Sequence, residues 1–546
     1  MPGETPPRWW GRLLAALFVL GIGVPPMATL VLPERETSAQ EKRKLAPPPT
    51  WDGSLSGLAA LPKGFEKYFN DHFGLREDFT ERYNRLKVHG LGVTSNRGVV
   101  LGENDWLFYG GGTLDNHRGL LKFPEQALFT HQFIIEGKRD WLAERGIRYL
   151  YVLVPDKRSI YTEHFPARFN RLGPTLADQI VTHLDTWSDL DVLDLRPVME
   201  DIKARTGKQL FSRTDSHWNA LGAYYGYRAI MERLSAWYPE LSPRPLSDFD
   251  IVHEEQPGGD LAGMLGIKES MRETEIKLIP KTPPCDTLVP FVHPVQAPTV
   301  EYRHRYQARV CDTAPPIRLL MMRDSFATLM LPHLAGHFAE STFIWQNRAD
   351  FLPRESFPLI TALAERDRPH VVIDQMLERK FPLPVQLTQT LYQSVVKGAF
   401  ARSRDVRLAR RFGDGPPPVK GLLGGQVGAG EDGWKLRVGA PGAQFAVGPF
   451  TTEPGTWAVA RVTVEAPGPI QLALAPGAIT PQGLATGEPV VRDLPAGTSS
   501  HTIALGQVNG RGVVLLQPGL ASGSVILKRV EVRGVTKPLA PNMPGT

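Results

Sequence analysis

The spacing of apolar positions changes along this chain, and each change marks a different kind of element. Residues 13–32 (LLAALFVLGIGVPPMATLVL) carry no charge, and about twenty such residues suffice to cross a bilayer. Residues 61–92 show helical spacing, with Phe65, Tyr68, Phe69, Phe73, Phe79, Tyr83 and Leu86 near one face. Residues 98–109 read as a hairpin: Val99 to Leu101, a turn over Gly102–Asp105, then Trp106 to Tyr109.

An alternation of helical and strand patterns follows. A helix over 125–145 precedes the β-branched and aromatic run Arg148 to Val154, which reads as a buried parallel strand. A helix over 174–187 leads to a strand at Asp191–Leu195. After residue 218, Ala220, Tyr224, Tyr227, Ile230, Met231 and Leu234 recur at helical spacing. Ile317 to Met322 is a further strand, ending at a special turn, and His370 to Ile373 is another. This alternation predicts an α/β doubly wound parallel sheet, with chemistry at the carboxyl ends of its strands.

The pattern shifts again after residue 412. Gly413 to Pro418 reads as a linker, and from 431 to 535 short alternating segments such as Trp457 to Val464 predict a β-sandwich ending in a strand over Ser524–Val532.

Flanking residues set the sense of the first segment. Arg8, Trp9, Trp10 and Arg12 suit a cytoplasmic interface, and a short positive leader before an apolar core is the layout of an export signal. A cleaved signal peptide is the alternative, but no good small-x-small site follows Ala28. The reading is therefore an uncleaved anchor with the remainder outside the cytoplasm. A length of 546 residues, 42% hydrophobic and 22% charged, implies two or three folded units rather than disorder. The net charge of +5 is scattered, with one short run at Lys42–Lys44, which argues against nucleic acid as a partner.

Two motifs carry chemistry. In Thr214-Asp215-Ser216-His217-Trp218-Asn219, extended backbone would turn Asp215 and His217 to the same side, so the carboxylate can orient the imidazole. In Arg323-Asp324-Ser325-Phe326, the serine follows a strand directly, which exposes its hydroxyl and places its own N–H to stabilise an oxyanion. A serine hydroxyl needs an adjacent base, and His217 would supply it. Neither motif is specific alone; together, at the ends of strands in an exported chain, they point to a Ser325–His217–Asp215 triad. No cofactor fingerprint or metal cluster is visible.

Further stretches extend the pattern: Asn70 to Arg76, Gly102 with Asp105 to Phe108, Pro155-Asp156-Lys157 with Ile160-Tyr161, Gly259-Asp260-Leu261, and Glu378-Arg379. With the two motifs above, this series over residues 35–385 resembles the SGNH-hydrolase-like alginate O-acetyltransferases, periplasmic proteins that acetylate alginate and related exopolysaccharides. The resemblance implies an SGNH-like core in which the acid–histidine motif precedes the serine, the reverse of ordinary SGNH esterases. It implies the same triad, a polysaccharide acceptor, and a multi-pass membrane acyltransferase as acetyl donor. The chain departs from the family's Gly-Asp-Ser by having Arg323 in the glycine position.

The expected organisation is a cytoplasmic tail over 1–12, an inner-membrane anchor over 13–32, and a periplasmic SGNH-like acyltransferase domain over 50–410. A linker over 411–430 and a sandwich over 431–535, a candidate for carbohydrate binding, complete it. Lys157, Tyr161 and Arg348 are candidates for substrate contact, with loop shaping and a plain surface arginine as the alternatives. Asp374, Glu378 and Arg379 read as a structural ion-pair region, and His72, His333 and His337 as structural or solvent-facing. Cys285 and Cys311 are either one disulfide or two thiols. Trp434, Phe445, Phe450 and Trp457 read as core, with stacking on sugars as the alternative. The function expected is serine-dependent O-acetyl transfer to an extracellular polysaccharide; a polysaccharide acetylesterase and a non-catalytic polysaccharide-binding scaffold are the rivals.

Overall fold

The computed structural model describes residues 8–31, 36–38, 43–94, 96–292, 294, 306–345, 353–381, 388–480, 483–487, 489–508, 510–536 and 539. The uncharged N-terminal segment forms helix α1 (Arg8–Val31), within which Trp9–Thr29 is long and apolar enough to cross a membrane. The single helical stretch expected over 61–92 is two helices, α2 (Leu55–His72) and α3 (Arg76–Arg85), the second continuing as a wider turn over Leu86–Gly90. Leu75 adopts φ 63° between them, which stops one helix and starts the next. Periodicity alone could not reveal this break, because both helices carry an apolar stripe.

The centre of the molecule is a seven-stranded sheet. Its strands are β1 (Arg148–Val154), β2 (Val192–Asp194), β3 (Thr287–Val289), β4 (Tyr306–Val310), β5 (Arg318–Arg323), β6 (Glu340–Trp345) and β7 (Val371–Leu377), in the order β2-β1-β7-β5-β6-β4-β3. Strands β2, β1, β7, β5 and β6 are parallel, whereas β4 and β3 add an antiparallel edge. The expected parallel sheet is present, and the structure adds the antiparallel edge to it; β3, β4 and β6 are short and mixed in polarity, so they leave little trace in the sequence. Strand β1 is apolar on both faces because helices cover both: α4 (Glu125–Ala143) and α5 (Leu176–Trp187) on one side, α6 (Leu195–Thr206) and α7 (Ala220–Ser235) on the other. The hairpin appears as Val99–Leu101 paired with Leu107–Tyr109. A second, Phe249–Pro257 with Arg272–Pro280, had no clear sequence signal because its first strand lacks the alternation of buried and exposed positions, with only Phe249 buried. A disulfide joins Cys285 and Cys311 beside the antiparallel edge.

Two six-stranded antiparallel sheets form the C-terminal sandwich, ending in a strand over Gly523–Val535. The expected boundaries need correction. Val406–Arg411 is already a sandwich strand, paired with the last one, and the expected linker contains strands Val419–Leu422 and Gly425–Ala429. Short strands between glycine- and proline-rich turns resemble a linker in composition. Nor is the sandwich separate: Val459, Ala504, Val535 and Leu539 join the apolar cluster of Phe133, Tyr392 and Phe400. The guanidinium groups of Arg461 and Arg533 lie 4.1 and 4.4 Å from the Phe400 ring.

Candidate active site

Three elements meet at the carboxyl end of the central sheet. Strand β5 ends at Arg323, and Ser325 opens a helical turn over Ser325–Leu329. The loop Ser212–Asn219 precedes α7, whose N-terminus is capped by the Asn219 side chain. A short helix, Asp260–Met264, closes the third side.

The serine hydroxyl donates to His217 Nε2 at 2.8 Å, and His217 Nδ1–H donates to Asp215 Oδ1 at 2.7 Å. The backbone N–H of His217 also donates to Asp215 Oδ1, at 3.0 Å, so the two-residue spacing locks carboxylate and ring together. Burial pushes the Asp215 carboxyl up, but the hydrogen bond from His217, its charge, and the backbone N–H groups of Asp260 and His217 outweigh this and hold it well below the usual carboxylate range. Asp215 therefore stays ionised, fixes the tautomer of His217, and leaves Nε2 free to take a proton. The site opens into a cleft of about 470 Å³ whose walls include Gln256, Lys268, Glu275 and Thr328.

Behind this row lies a network that sequence reasoning passed over. Asp260 accepts from the backbone N–H and the hydroxyl of Ser216, both at 2.6 Å, while its own N–H donates to Asp215 Oδ2 at 2.8 Å. A Cβ on Gly259 would lie 2.4 Å from that of Asp215, so only glycine allows this approach. The Gly259-Asp260-Leu261 stretch was the available signal for these positions. Glu273 accepts from the N–H of Arg213 at 2.7 Å and from the Thr214 hydroxyl; it sits on the unforeseen hairpin, and nothing local marked it. Asp215, His217 and Asp260 offer ligand atoms within 4.8 Å of one another. Their carboxylates are already engaged by donors from Ser216, His217 and Asp260 N–H, so the donor set fits a hydrogen-bonded relay better than a metal site.

On the serine side, Asp324 is buried and accepts from Phe326 N–H at 2.9 Å, Gln375 at 2.8 Å and Lys380 Nζ at 3.1 Å. Arg323 occupies ordinary strand backbone, so the position does not demand glycine. Its guanidinium is buried 4.5 Å from the Trp345 ring, and burial pushes it down to about 10.

Of the other candidates, Lys157 is 1% exposed and donates to the carbonyls of Ser212, Arg213 and Asp215 at 2.9, 2.9 and 2.6 Å. Burial pushes it down to about 7, against the nearby carboxylates of Asp215, Glu273 and Asp260. The Tyr161 hydroxyl accepts from Leu210 N–H at 2.8 Å, and its ring stacks on Trp106. Both brace the acid–histidine loop from behind. Arg348 lies outside the described residues. Asp374 accepts from Lys138 and Tyr149, Asp156 pairs with Arg158 and Arg379, and Glu378 pairs with Arg171 and Arg196, as the structural reading required. Burial lowers His333 and His337 to about 4, leaving both neutral at pH 7. Trp434, Phe445 and Phe450 are buried in the sandwich core and cannot stack on a sugar.

Comparison with known proteins places this architecture. Residues 99–286 match the model of a family described as the SGNH hydrolase-like domain of the acetyltransferase AlgX. That segment is SGNH-like and similar to the domain of this family. It includes Asp215 and His217 and ends before Ser325. A probable alginate O-acetylase, AlgJ, of Azotobacter vinelandii is 28% identical over 215 residues, 39% of this chain and 51% of that protein. Its counterpart in Pseudomonas putida is 33% identical over 176 residues, 32% of this chain and 43% of the relative. The chain thus spans about half the length of the curated relatives it matches. Among solved structures, the O-acetyltransferase domain of Pseudomonas putida AlgJ aligns at 22% identity and a TM-score of 0.36, covering 55% of this chain and all of that one.

Proposed function

We propose that this protein transfers acetyl groups to hydroxyls of a polysaccharide outside the cytoplasm, through an ester on Ser325. The observation that carries the proposal is the unbroken row Ser325 Oγ, His217 Nε2 and Nδ1, Asp215 Oδ1, at 2.8 and 2.7 Å. His217 removes the Ser325 proton as the hydroxyl attacks an acetyl donor, and returns it to the leaving group. A sugar hydroxyl then enters the cleft and takes the acetyl group from the serine, its proton passing through His217 to the departing Ser325 Oγ. The N–H of Ser325, at the start of its helical turn, is a candidate oxyanion donor in both steps. Likeness to the AlgX domain family and to the AlgJ proteins favours transfer to polysaccharide over hydrolysis.

In this reading α1 anchors the chain in the inner membrane, the sheet and sandwich lie in the periplasm, and a multi-pass membrane acyltransferase delivers the acetyl group. The Cys285–Cys311 disulfide supports an oxidising compartment. The sandwich is the candidate for holding the acceptor.

The test uses a small activated acetyl ester with and without acetylatable polysaccharide. The wild-type protein should carry a mass increment of one acetyl group on Ser325 and pass it to the polymer. Ser325→Ala and His217→Ala should each lose about 10³-fold or more in turnover with unchanged folding. Normal turnover by Ser325→Ala would remove the nucleophile assignment, and acetate released only to water would make the protein an esterase.

A further inference from the structure

Helices α2 and α3 leave an apolar stripe uncovered. No residue of α2 is buried, and Leu55, Leu58, Phe65 and Phe69 recur along it at helical spacing, 88, 51, 59 and 38% exposed. Phe79, Tyr83 and Leu86 repeat the pattern along α3 and the turn after it, at 47, 57 and 62%. Along α3 and the turn after it, the opposite side faces the molecule. Val88 packs on the cluster of Leu107, Leu261 and Leu265, and it lies roughly two and a half turns from Phe79, half a rotation away. The aromatic stripe therefore points away from the domain, and an uncovered apolar surface of this extent marks an interaction site.

Its position identifies the occupant. The N–H of Gly74, in the turn between α2 and α3, donates to Thr29 Oγ1 at 2.8 Å, and Thr29 is the last residue of the apolar span. The linking chain is fastened to the same place: Ala46 N–H donates to Asp71 Oδ2 at 2.8 Å, and His72 Nε2 lies 2.9 Å from the Ala46 carbonyl. The junction of the two helices thus sits where the span would leave the bilayer. Phenylalanine, tyrosine and leucine on one face with Lys67 and Glu81 on the other is the composition of a helix lying in a membrane interface.

Resting on the reading of α1 as a membrane anchor, we infer that α2 and α3 lie on the bilayer that α1 spans, with Phe65, Phe69, Phe79 and Tyr83 inserted at the boundary of headgroups and acyl chains. The occupant of the stripe is lipid. Basic and acidic residues nearly balance over 55–91, so insertion is driven by apolar burial rather than by anionic headgroups. The arrangement also sets the attitude of the cleft. Val88 holds α3 against Leu261, and the neighbouring Asp260 is bonded to Ser216 and Asp215. The two helices act as a foot that fixes the direction in which the Ser325 cleft faces relative to the membrane.

The experiment places one spin label at a time on the full-length protein in phosphatidylcholine–phosphatidylglycerol vesicles, at Phe65→Cys, Phe79→Cys or Tyr83→Cys. The native cysteines are paired and do not take the label. Phe18→Cys, in the span, and Lys67→Cys, on the polar face, are the references. The three test labels should collide with oxygen more than with a water-soluble nickel chelate, as Phe18→Cys does, and their oxygen-to-nickel ratio should exceed that of Lys67→Cys several-fold. Nickel-dominated collisions at all three, with Phe18→Cys still in lipid, would overturn the inference and leave the anchor standing. Nickel-dominated collisions at Phe18→Cys as well would remove the anchor and the inference together. Low accessibility to both reagents at the test positions would show a covering protein, a second copy or another chain, and would also overturn it.

Discussion

The carboxyl end of the central sheet and the C-terminal sandwich are built on opposite terms. Around Ser325 the buried positions include Lys157, Ser216, Glu273, Arg323 and Asp324, bound to backbone carbonyls and N–H groups or to neighbouring polar side chains. The sandwich interior is Trp434, Phe445, Val462, Leu474, Val514 and their neighbours, held by area removed from water. Burying ionised groups is costly even when they are paired, so the polar end contributes less stability than its density of bonds suggests. What it contributes is a fixed geometry for three side chains. The sandwich is the reverse: extensive apolar burial and, among the described residues, no second acid–histidine–serine row.

This contrast predicts that substitutions at the two ends separate activity from stability. Asp215→Asn keeps the side-chain volume but loses the charge that fixes the His217 tautomer. It should lower ester turnover by about 10³- to 10⁴-fold, or about 4–5.5 kcal/mol of transition-state stabilisation, and cost clearly less than that in folding stability. A matching loss of folding stability would mean that the triad also holds the fold. Phe400→Ala, where the sandwich meets α8 (Gln389–Arg402), should do the opposite. It empties a ring flanked by Arg461 and Arg533 and should cost about 3–4 kcal/mol in denaturant unfolding while kcat of the remaining folded protein stays near normal. Truncating the chain after Ser403 would expose that whole face, so it is a poorer test than the single substitution.

The disulfide lies between these extremes. It closes a separation of 26 residues, and Cys285→Ser with Cys311→Ser should cost about 3 kcal/mol of stability by the loop-entropy argument. Unfolding with and without reductant measures it, and an unchanged midpoint would remove the bond from the stability of the antiparallel edge.

Glu275 gives the smallest effect. Burial pushes it up to about 6, helped by the charges of Glu273 and Asp215 and opposed by its bond from Ser212. A carboxyl raised in the folded state contributes stability that is fully present below its unfolded value and is lost as pH rises through about 6. Relative to Glu275→Gln, the wild-type protein should therefore lose about 1 kcal/mol between pH 4.5 and 6.5, allowing for solvent screening. A parallel pH profile for the two proteins would show that Glu275 is solvated like a surface carboxylate.

Much of this molecule was legible because local rules sufficed. Strand β1 was placed over Arg148–Val154, and the helix expected over 125–145 ends at Ala143. A run apolar on both faces, bounded by proline, has few other fates. Asp215 and His217 converge as the two-residue spacing required, and Ser325 stands directly after its strand. Where local composition misled, a partner distant in sequence was responsible. The supposed linker is strand because residues 419–422 pair with 444–447, and 406–411 pair with the final strand. The break at Leu75 and the polar hairpin over 249–280 depend on what they pack against, which periodicity does not record.

The sequence by itself determined the spacing of the acid and base, the serine at a strand end, the apolar N-terminal helix and the order of the motifs, because each needs only residues a few positions apart. Only the tertiary structure decided that Nε2 of His217 reaches Ser325 across 108 positions, that Lys157 and Glu273 serve the loop behind it, and that Asp260 braces both Ser216 and Asp215. Those contacts depend on the relative placement of strands and loops over tens of residues. That placement is fixed by how both faces of one sheet are covered, and no short stretch of sequence contains it.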